Sequence, residues 1–143
     1  DASIGLMVLA FIGIQLQGTL YNYYYVILRN SVDGDSTSRV FENSVPEAME
    51  GETQQTVNIM YKIFNLLYSS FDKAIHWLDK KAIMRKPFPK WFMTLLSSFG
   101  LGFQLLIMSI MLVLQLEDYI IPFFIGYSTL IFVLVGIRKL FLR

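Results

Sequence analysis

Residues 91–137 read WFMTLLSSFGLGFQLLIMSIMLVLQLEDYIIPFFIGYSTLIFVLVGI and contain only two charged side chains, Glu117 and Asp118. This acidic pair divides the segment into two uncharged stretches, 91–116 and 119–137. A helix needs about 20 predominantly apolar residues to cross the hydrocarbon core of a bilayer. Residues 2–28 form a third uncharged stretch. The sequence therefore predicts an all-α membrane protein with three transmembrane helices.

A soluble all-α protein is the alternative to this interpretation. In such a protein, the three apolar helices would have to be buried on all sides. A chain of 143 residues offers too little polar surface to cover them, because small domains bury a low fraction of their surface. The membrane interpretation is therefore favoured, and the whole chain is expected to form a single membrane unit.

The distribution of basic residues predicts the orientation. Nine of the twelve Lys and Arg residues lie in the segment 29–90, and the other three follow residue 137. Lys and Arg close to helix ends favour the cytoplasmic side. We therefore expect residues 29–90 and the C-terminus in the cytoplasm, with Glu117 and Asp118 on the opposite side.

The first residue and the composition suggest what else belongs to the protein. The chain starts at Asp1, next to an apolar stretch and without a basic leader, so we expect a fragment of a longer protein whose N-terminal helices are missing. The absence of Cys excludes disulfides and thiolate metal sites, and the single His excludes a His-cluster site. Membrane lipids, the missing helices and a second copy of the chain are the partners that the sequence allows. Nothing in it indicates nucleic acid.

The connection between the first two spans predicts two helical segments. Ser44, Pro46 and Glu47 fit a capping box with Pro in the first turn, so a short helix is expected from Ser44 to about Gly51. Residues 57–81 are amphipathic, with apolar residues recurring every three or four positions. We expect this helix to lie at the cytoplasmic interface, or to pack against the ends of the bundle. Its apolar face comprises Met60, Ile63, Phe64, Leu67, Phe71, Ala74, Ile75 and Leu78.

Aromatic residues mark the expected membrane–water boundary, where Trp and Tyr are enriched. The residues predicted to lie at this interface are Tyr21, Tyr24, Phe64, Phe71 and Trp91.

The polar residues within the spans allow both structural and functional interpretations. Gln15, Gln17 and Asn22 in the first span either line a cavity or bond a neighbouring helix. Ser97, Ser98, Gly100 and Gly102 form a small-residue strip typical of helix packing. His76 follows Asp72 by one helical turn, which favours a solvated pair over a catalytic role.

Arg29 and Arg39 are the candidate substrate-binding residues. Both follow the tyrosine-rich end of the first span, and a guanidinium matches phosphate oxygens with two parallel hydrogen bonds. An aromatic belt at the membrane surface explains the tyrosines equally well. The sequence contains no Walker loop, no Rossmann glycine motif, no nucleophile elbow and no metal-ligand cluster, so no catalytic residue is assigned in this chain.

Taken together, three segments of the chain resemble a known membrane enzyme family. They are YNYYYVILRN at 21–30, GDSTSR at 34–39 and PFPKWFMTLLSSFGLG at 87–102. In their order along the chain and in their pattern of residue types, they resemble the C-terminal half, helices four to six, of the CDP-alcohol phosphatidyltransferases. The diagnostic aspartate motif of that family, D-x-x-D-G-x-x-A-R followed by a further aspartate pair, does not occur here; the nearest string, residues 30–39, is interpreted as a turn.

The resemblance implies a function for the parent protein. It implies transfer of a phosphatidyl group from a CDP-linked lipid to an alcohol during phospholipid synthesis, with a divalent metal, magnesium or manganese, held by aspartates upstream of this chain. The chain alone is expected to be inactive. The alternative is a non-enzymatic membrane subunit or scaffold whose amphipathic helix binds a partner.

Overall fold

The computed structural model describes residues 3–31, 44–84 and 88–142. Within these ranges the chain is mainly helical and contains no β-strand. Seven α-helices follow one another: α1 (Ile4–Ser31), α2 (Gln54–Phe64), α3 (Ser70–Leu78), α4 (Lys90–Ser97), α5 (Leu101–Val113), α6 (Ile120–Ser128) and α7 (Leu130–Phe141). A π-helical turn, Asn65–Ser69, joins α2 to α3, and 3₁₀ turns lie at Lys80–Met84 and Glu117–Tyr119.

Two helical segments are long and apolar enough to cross a membrane, Ile4–Ser31 and Glu117–Phe141. A third candidate consists of α4 and α5 taken together, which are bent by 45° at their junction. The predicted stretches 2–28, 91–116 and 119–137 therefore coincide with apolar helices, and the described residues contain two candidate spans, or three if the bent pair counts as one.

Contacts between the helices define their relative directions. Tyr24 of α1 packs its ring on Phe92 of α4, and further back along α1 Gln17 contacts Gln104 of α5. The order of the contacts is reversed, so α1 and α4–α5 are antiparallel. Gln17 also contacts Ser128 of α6, whereas Tyr24 shares a bonding partner with Arg138 of α7. These contacts follow the same order along α6–α7 as along α1, so α1 and α6–α7 run in parallel. The Glu117–Tyr119 turn therefore lies at the end of the bundle opposite to Arg138.

The bend between α4 and α5 lies at the small-residue strip. Gly100 adopts an extended backbone, with ψ 148°, and starts α5. A Cβ on Gly100 would lie 3.0 Å from the Ser97 carbonyl oxygen and 3.6 Å from the ring of Tyr21. The hydroxyl of Tyr127 donates to the freed carbonyl of Ser98 at 3.1 Å. A helix break that exposes a carbonyl is thus compensated by a neighbouring helix.

The predicted helix from Ser44 to Gly51 is wrong. Residues 44–51 form a bend, an extended stretch and a turn. So few residues are too short to hold a helix against the cost of nucleation without packing. Gly51 has φ +92°, a left-handed conformation that ends the turn. The actual cap is Thr53, whose side chain accepts a hydrogen bond from the amide of Thr56 and starts α2.

The amphipathic segment is helical from Gln54 to Leu78, but its two halves differ in environment. In α3, Ile75 is fully buried against the bundle, and α3 packs along α1. In α2 no residue is buried. The apolar side chains of the first half are exposed; they are Ile59, Met60, Ile63, Phe64 and Leu67. Lys62 and Lys73 are also exposed.

Candidate functional site

A buried polar cluster joins the ends of three helices. Asp79 follows α3 directly, and its carboxylate pairs with the guanidinium of Arg138 on α7, through both Nε and Nη2. The hydroxyl of Tyr24 on α1 donates to Oδ2 of Asp79 at 2.5 Å. The side chains of Arg138 and Asp79 are 3% and 1% exposed. A fork-shaped pair with an additional donor satisfies a buried carboxylate, which would otherwise be costly to desolvate.

The second tyrosine of the pair binds the backbone at the same place. The hydroxyl of Tyr23 donates to the carbonyl oxygen of Asp79 at 3.1 Å and lies 3.1 Å from Nδ1 of His76. Tyr23 is buried and His76 is half-buried. His76 is therefore less solvated than the sequence predicts, because its ring contacts Tyr23 of α1. Asp72 is itself half-buried, and burial raises the pKa of its carboxyl group.

We call this cluster the Asp79 latch; it comprises Tyr23, Tyr24, His76, Asp79 and Arg138. The latch lies one bilayer thickness from the opposite end of the bundle. From Ile4 to Tyr24, and from Glu117 to Arg138, the helices rise by about 30 Å. That length matches the hydrocarbon thickness of a typical bilayer. The latch fastens α3 to α1 and α7 at this depth.

A second polar cluster lies between the long helices, nearer their middle. The Nε2 of Gln104 donates to Oε1 of Gln17 at 3.0 Å and to the carbonyl of Ile14 at 3.2 Å. The Nε2 of Gln17 donates to Oγ of Ser128 at 2.8 Å. Gln17 and Gln104 are both fully buried. Of the two interpretations given for Gln17, bonding to neighbouring helices is therefore correct.

Close helix packing makes this second cluster possible. A Cβ on Gly13 would overlap Oγ of Ser128, so α1 and α6 can approach this closely only with glycine at position 13. Gln15 is half-buried and Asn22 is exposed. Of the three amides noted in the sequence, only Gln17 faces the centre of the bundle.

The candidate substrate-binding residue Arg29 lies on the exposed face of α1. Its guanidinium carbon is 5.6 Å from the ring centroid of Tyr25, and Tyr25 stacks on Tyr21 with centroids 5.6 Å apart. The three residues form a ladder at i, i+4 and i+8, in which each ring supports the next side chain. Arg39 lies outside the described residues.

The predicted interfacial aromatics fall into two groups. Trp91 and Phe64 are 48% and 43% exposed, whereas Tyr21 and Phe71 are half-buried. Tyr24 is fully buried, so the expectation that it belongs to an aromatic belt is corrected. Its ring packs against Phe88 and Phe92, and its hydroxyl donates to Asp79.

Asp79 and Arg138, which form the ion pair of the latch, were not singled out in the sequence. Asp79 is the only acidic residue between Lys73 and Lys90, and it follows Ile75 by one helical turn. A carboxylate that extends the apolar face of an amphipathic helix is a signal of burial with a partner. The sequence contains that signal, but the partner lies 59 positions further along the chain.

A resident divalent metal would need several oxygen or nitrogen donors in one place. Within 3–31, 44–84 and 88–142, no three His, Cys, Asp or Glu side chains come together in a way that could hold a metal. The family resemblance assigns its divalent metal to aspartates outside this chain, so the described residues are not the ones that would hold it.

Comparisons of the chain with protein-family models, with curated proteins and with solved structures found no match. The protein class is therefore defined by structure alone. The described residues form a helical bundle in which the buried Asp79 latch holds an amphipathic helix against the apolar helices.

Proposed function

We propose that this chain is an integral-membrane unit, namely the last three spans of an enzyme that transfers a phosphatidyl group from a CDP-linked lipid to an alcohol. One observation carries the proposal. The apolar helices alternate in direction and place Arg29, the amphipathic segment and the end of α7 at the same end of the bundle. A lipid-modifying enzyme needs this arrangement, because its polar substrate and the lipid headgroup meet at one membrane surface.

In this proposal Arg29 contacts a phosphate. Its side chain is exposed at a helix end and is supported by the ring of Tyr25. A guanidinium in such a position offers two parallel donors to phosphate oxygens, whereas lysine offers a point charge. The metal and the catalytic aspartates are assigned to residues other than those described, and no chemical step is assigned to this chain.

The test is a transfer assay in membranes. Cells expressing the gene from its own start codon are compared with cells expressing residues 1–143 alone, with labelled CDP-diacylglycerol and a panel of alcohols. The proposal expects labelled phospholipid in the first membranes and none in the second. Absence of transfer from both, with the protein inserted and intact, would contradict the proposal.

A matched pair of variants tests the role of Arg29. Arg29→Lys keeps the charge and removes the fork, so we expect at least about a tenfold loss in kcat/KM from one lost bidentate contact. Lys62→Arg is the control, because Lys62 lies on the exposed face of α2. Equal turnover in Arg29→Lys and in the unmodified protein would remove Arg29 from the site.

A membrane scaffold is the second candidate function, and the exposed apolar face of α2 favours it. Ile59, Met60 and Ile63 are 53%, 62% and 47% exposed. If this face binds a protein, cross-linking from position 60 in native membranes should capture one discrete partner at a fixed stoichiometry. Cross-linking to lipid alone would contradict the scaffold function, because no protein partner would contact this face.

A further inference from the structure

Two cavities of different character meet at α3. The first is an apolar groove of about 360 Å³ between α1, α3 and α6–α7, with Leu16, Ala74 and Phe132 among its lining residues. The second has a volume of about 580 Å³ and lies at the end of α3 and α7, lined by Lys80, Lys81 and Lys139 around the Asp79–Arg138 pair. Trp77 and Leu78 line both cavities, so the two are neighbours. Their volumes fall within the range typical of ligand sites.

The second cavity is strongly cationic. Its lining contains four basic side chains and one carboxylate. The carboxylate of Asp79 is already neutralised by Arg138 in the buried latch. The lining therefore carries more basic than acidic side chains, and those of Lys80, Lys81 and Lys139 are exposed. Clustered lysines beside a membrane surface attract anionic lipid headgroups.

The depth of the cavities in the bundle matches the two parts of a lipid. The cationic cavity surrounds the latch, which lies about 30 Å along the helices from the opposite end, and thus at the boundary of the hydrocarbon core. The apolar groove extends from there past the middle of the bundle, as far as Leu9 on α1. A headgroup phosphate at the lysines would place an acyl chain directly in the groove.

We propose that these two cavities form one binding site for an anionic phospholipid, with its phosphate at Lys80, Lys81 and Lys139 and an acyl chain in the groove beneath Trp77. The site goes beyond the proposed enzymatic function, because it uses neither Arg29 nor any turnover. Its failure and the failure of the transfer assay are therefore separate results.

Trp77 provides a direct probe of the site. The chain contains two tryptophans, so Trp91→Phe leaves Trp77 as the only one, and Trp77 is 74% exposed. The variant chain is purified in neutral detergent micelles and titrated with phosphatidylglycerol or phosphatidylcholine whose acyl chains are brominated, which quenches nearby tryptophan. We expect half-quenching at an at least fivefold lower mole fraction of the anionic lipid, since each interfacial lysine contributes about fivefold.

Charge-matched variants separate a built site from general attraction. Lys80→Gln, Lys81→Gln and Lys139→Gln together should abolish the preference for phosphatidylglycerol. A control triple variant, Lys62→Gln, Lys73→Gln and Lys90→Gln, removes the same charge from exposed residues outside the cavity. This control should retain the preference for phosphatidylglycerol. Equal loss in both triple variants, or no preference in the starting protein, would overturn the proposal.

The groove and the free anion give two further tests. Ala74→Phe fills the groove without changing the charge and should raise the half-quenching mole fraction of phosphatidylglycerol several-fold, whereas Ala48→Phe, which lies outside the groove, should not. Inorganic phosphate should compete poorly, because it cannot use the groove. Full competition by phosphate at low millimolar concentration, or an unchanged titration in Ala74→Phe, would contradict a phospholipid site.

Discussion

At the scale of single residues, buried polar side chains hold this bundle together. The latch places a carboxylate, a guanidinium and two tyrosine hydroxyls in a region that little water reaches. Removing one member of a buried ion pair is expected to cost about 3–5 kcal/mol, because the other charge is left uncompensated. The pair itself contributes much less to net stability than that figure, so its role is to specify where α3 attaches.

Tyr24→Phe tests this role with the smallest change. It removes one hydroxyl that donates to the Asp79 carboxylate and should lower the free energy of unfolding by about 1.5–3 kcal/mol. Tyr25→Phe is the control, since Tyr25 is exposed and should change stability by no more than about 0.5 kcal/mol. Unfolding is followed by circular dichroism in micelles. Equal stability of the two variants would show that the hydroxyl at position 24 does not support Asp79.

The Gln17 cluster can be tested by a similar comparison along one helix. Gln17→Leu removes hydrogen bonds to α5 and α6 and should destabilise the bundle by about 1–2 kcal/mol, the upper range for hydrogen bonds inside membrane proteins. Gln15→Leu changes a half-buried amide two residues away and should be neutral or slightly stabilising. The measurement is resistance to unfolding by dodecyl sulfate. Greater sensitivity of Gln15→Leu than of Gln17→Leu would contradict the network.

Sequence patterns predicted part of this residue-scale structure. Gln17 could be noted as an intramembrane amide, but its partners Gln104 and Ser128 lie on other helices, and periodicity does not indicate which faces meet. Asp79 and Arg138 could not be paired from the sequence for the same reason, because they lie on different helices. The position of Tyr24 in a run of tyrosines predicted a surface residue, although its side chain is buried.

At the scale of elements, the amphipathic segment has two environments because of the π-helical turn at Asn65–Ser69. A π-turn adds a residue to one turn and so rotates the helix after it relative to the helix before it. Ile75 in α3 consequently faces α1, whereas Met60 and Phe64 in α2 face outward. Regular spacing at three and four positions predicted one continuous face; it could not predict the turn that divides it.

The outward face of α2 should lie in the membrane interface. Phe64→Asp places a charge on that face and should raise the water accessibility of a nitroxide attached at residue 63, because burial of apolar side chains drives interfacial binding. Asn58→Asp introduces the same charge on the exposed polar side and should leave the nitroxide in place. Collision rates with oxygen and with a water-soluble nickel chelate report the depth. A nitroxide that is equally water-exposed in the unmodified helix would contradict this placement.

The bends are the second feature of the elements that composition did not predict. Residues 91–116 formed a single uncharged stretch, but Gly100 starts a new helix and bends the pair by 45°. The small residues at 97–102 were interpreted as a packing face, and Gly100 does lie against Tyr21. The bend lies at this glycine because glycine has a low helix propensity and its missing Cβ leaves room for the Ser97 carbonyl and the Tyr21 ring.

At the scale of the whole molecule, the apolar surface of the bundle requires an apolar environment. In the most apolar part of α1 only 22% of the residues are buried within the chain, and the same share applies to Glu117–Phe141. A soluble protein of this size would leave that surface in water. The central claim is therefore that the bundle crosses a bilayer and that α2, α3 and the end of α7 share one membrane surface.

The absence of cysteine allows this claim to be tested by labelling single cysteines in sealed vesicles. Glu50→Cys and Asp118→Cys place thiols at exposed positions, one before α2 and one in the turn before α6. A membrane-impermeant maleimide added outside should label one variant, and should label the other only after the vesicles are opened. If residue 50 lies in the cytoplasm, the maleimide should label Asp118→Cys, and not Glu50→Cys, in intact cells. Labelling of both variants from the same side of an intact membrane would contradict the account.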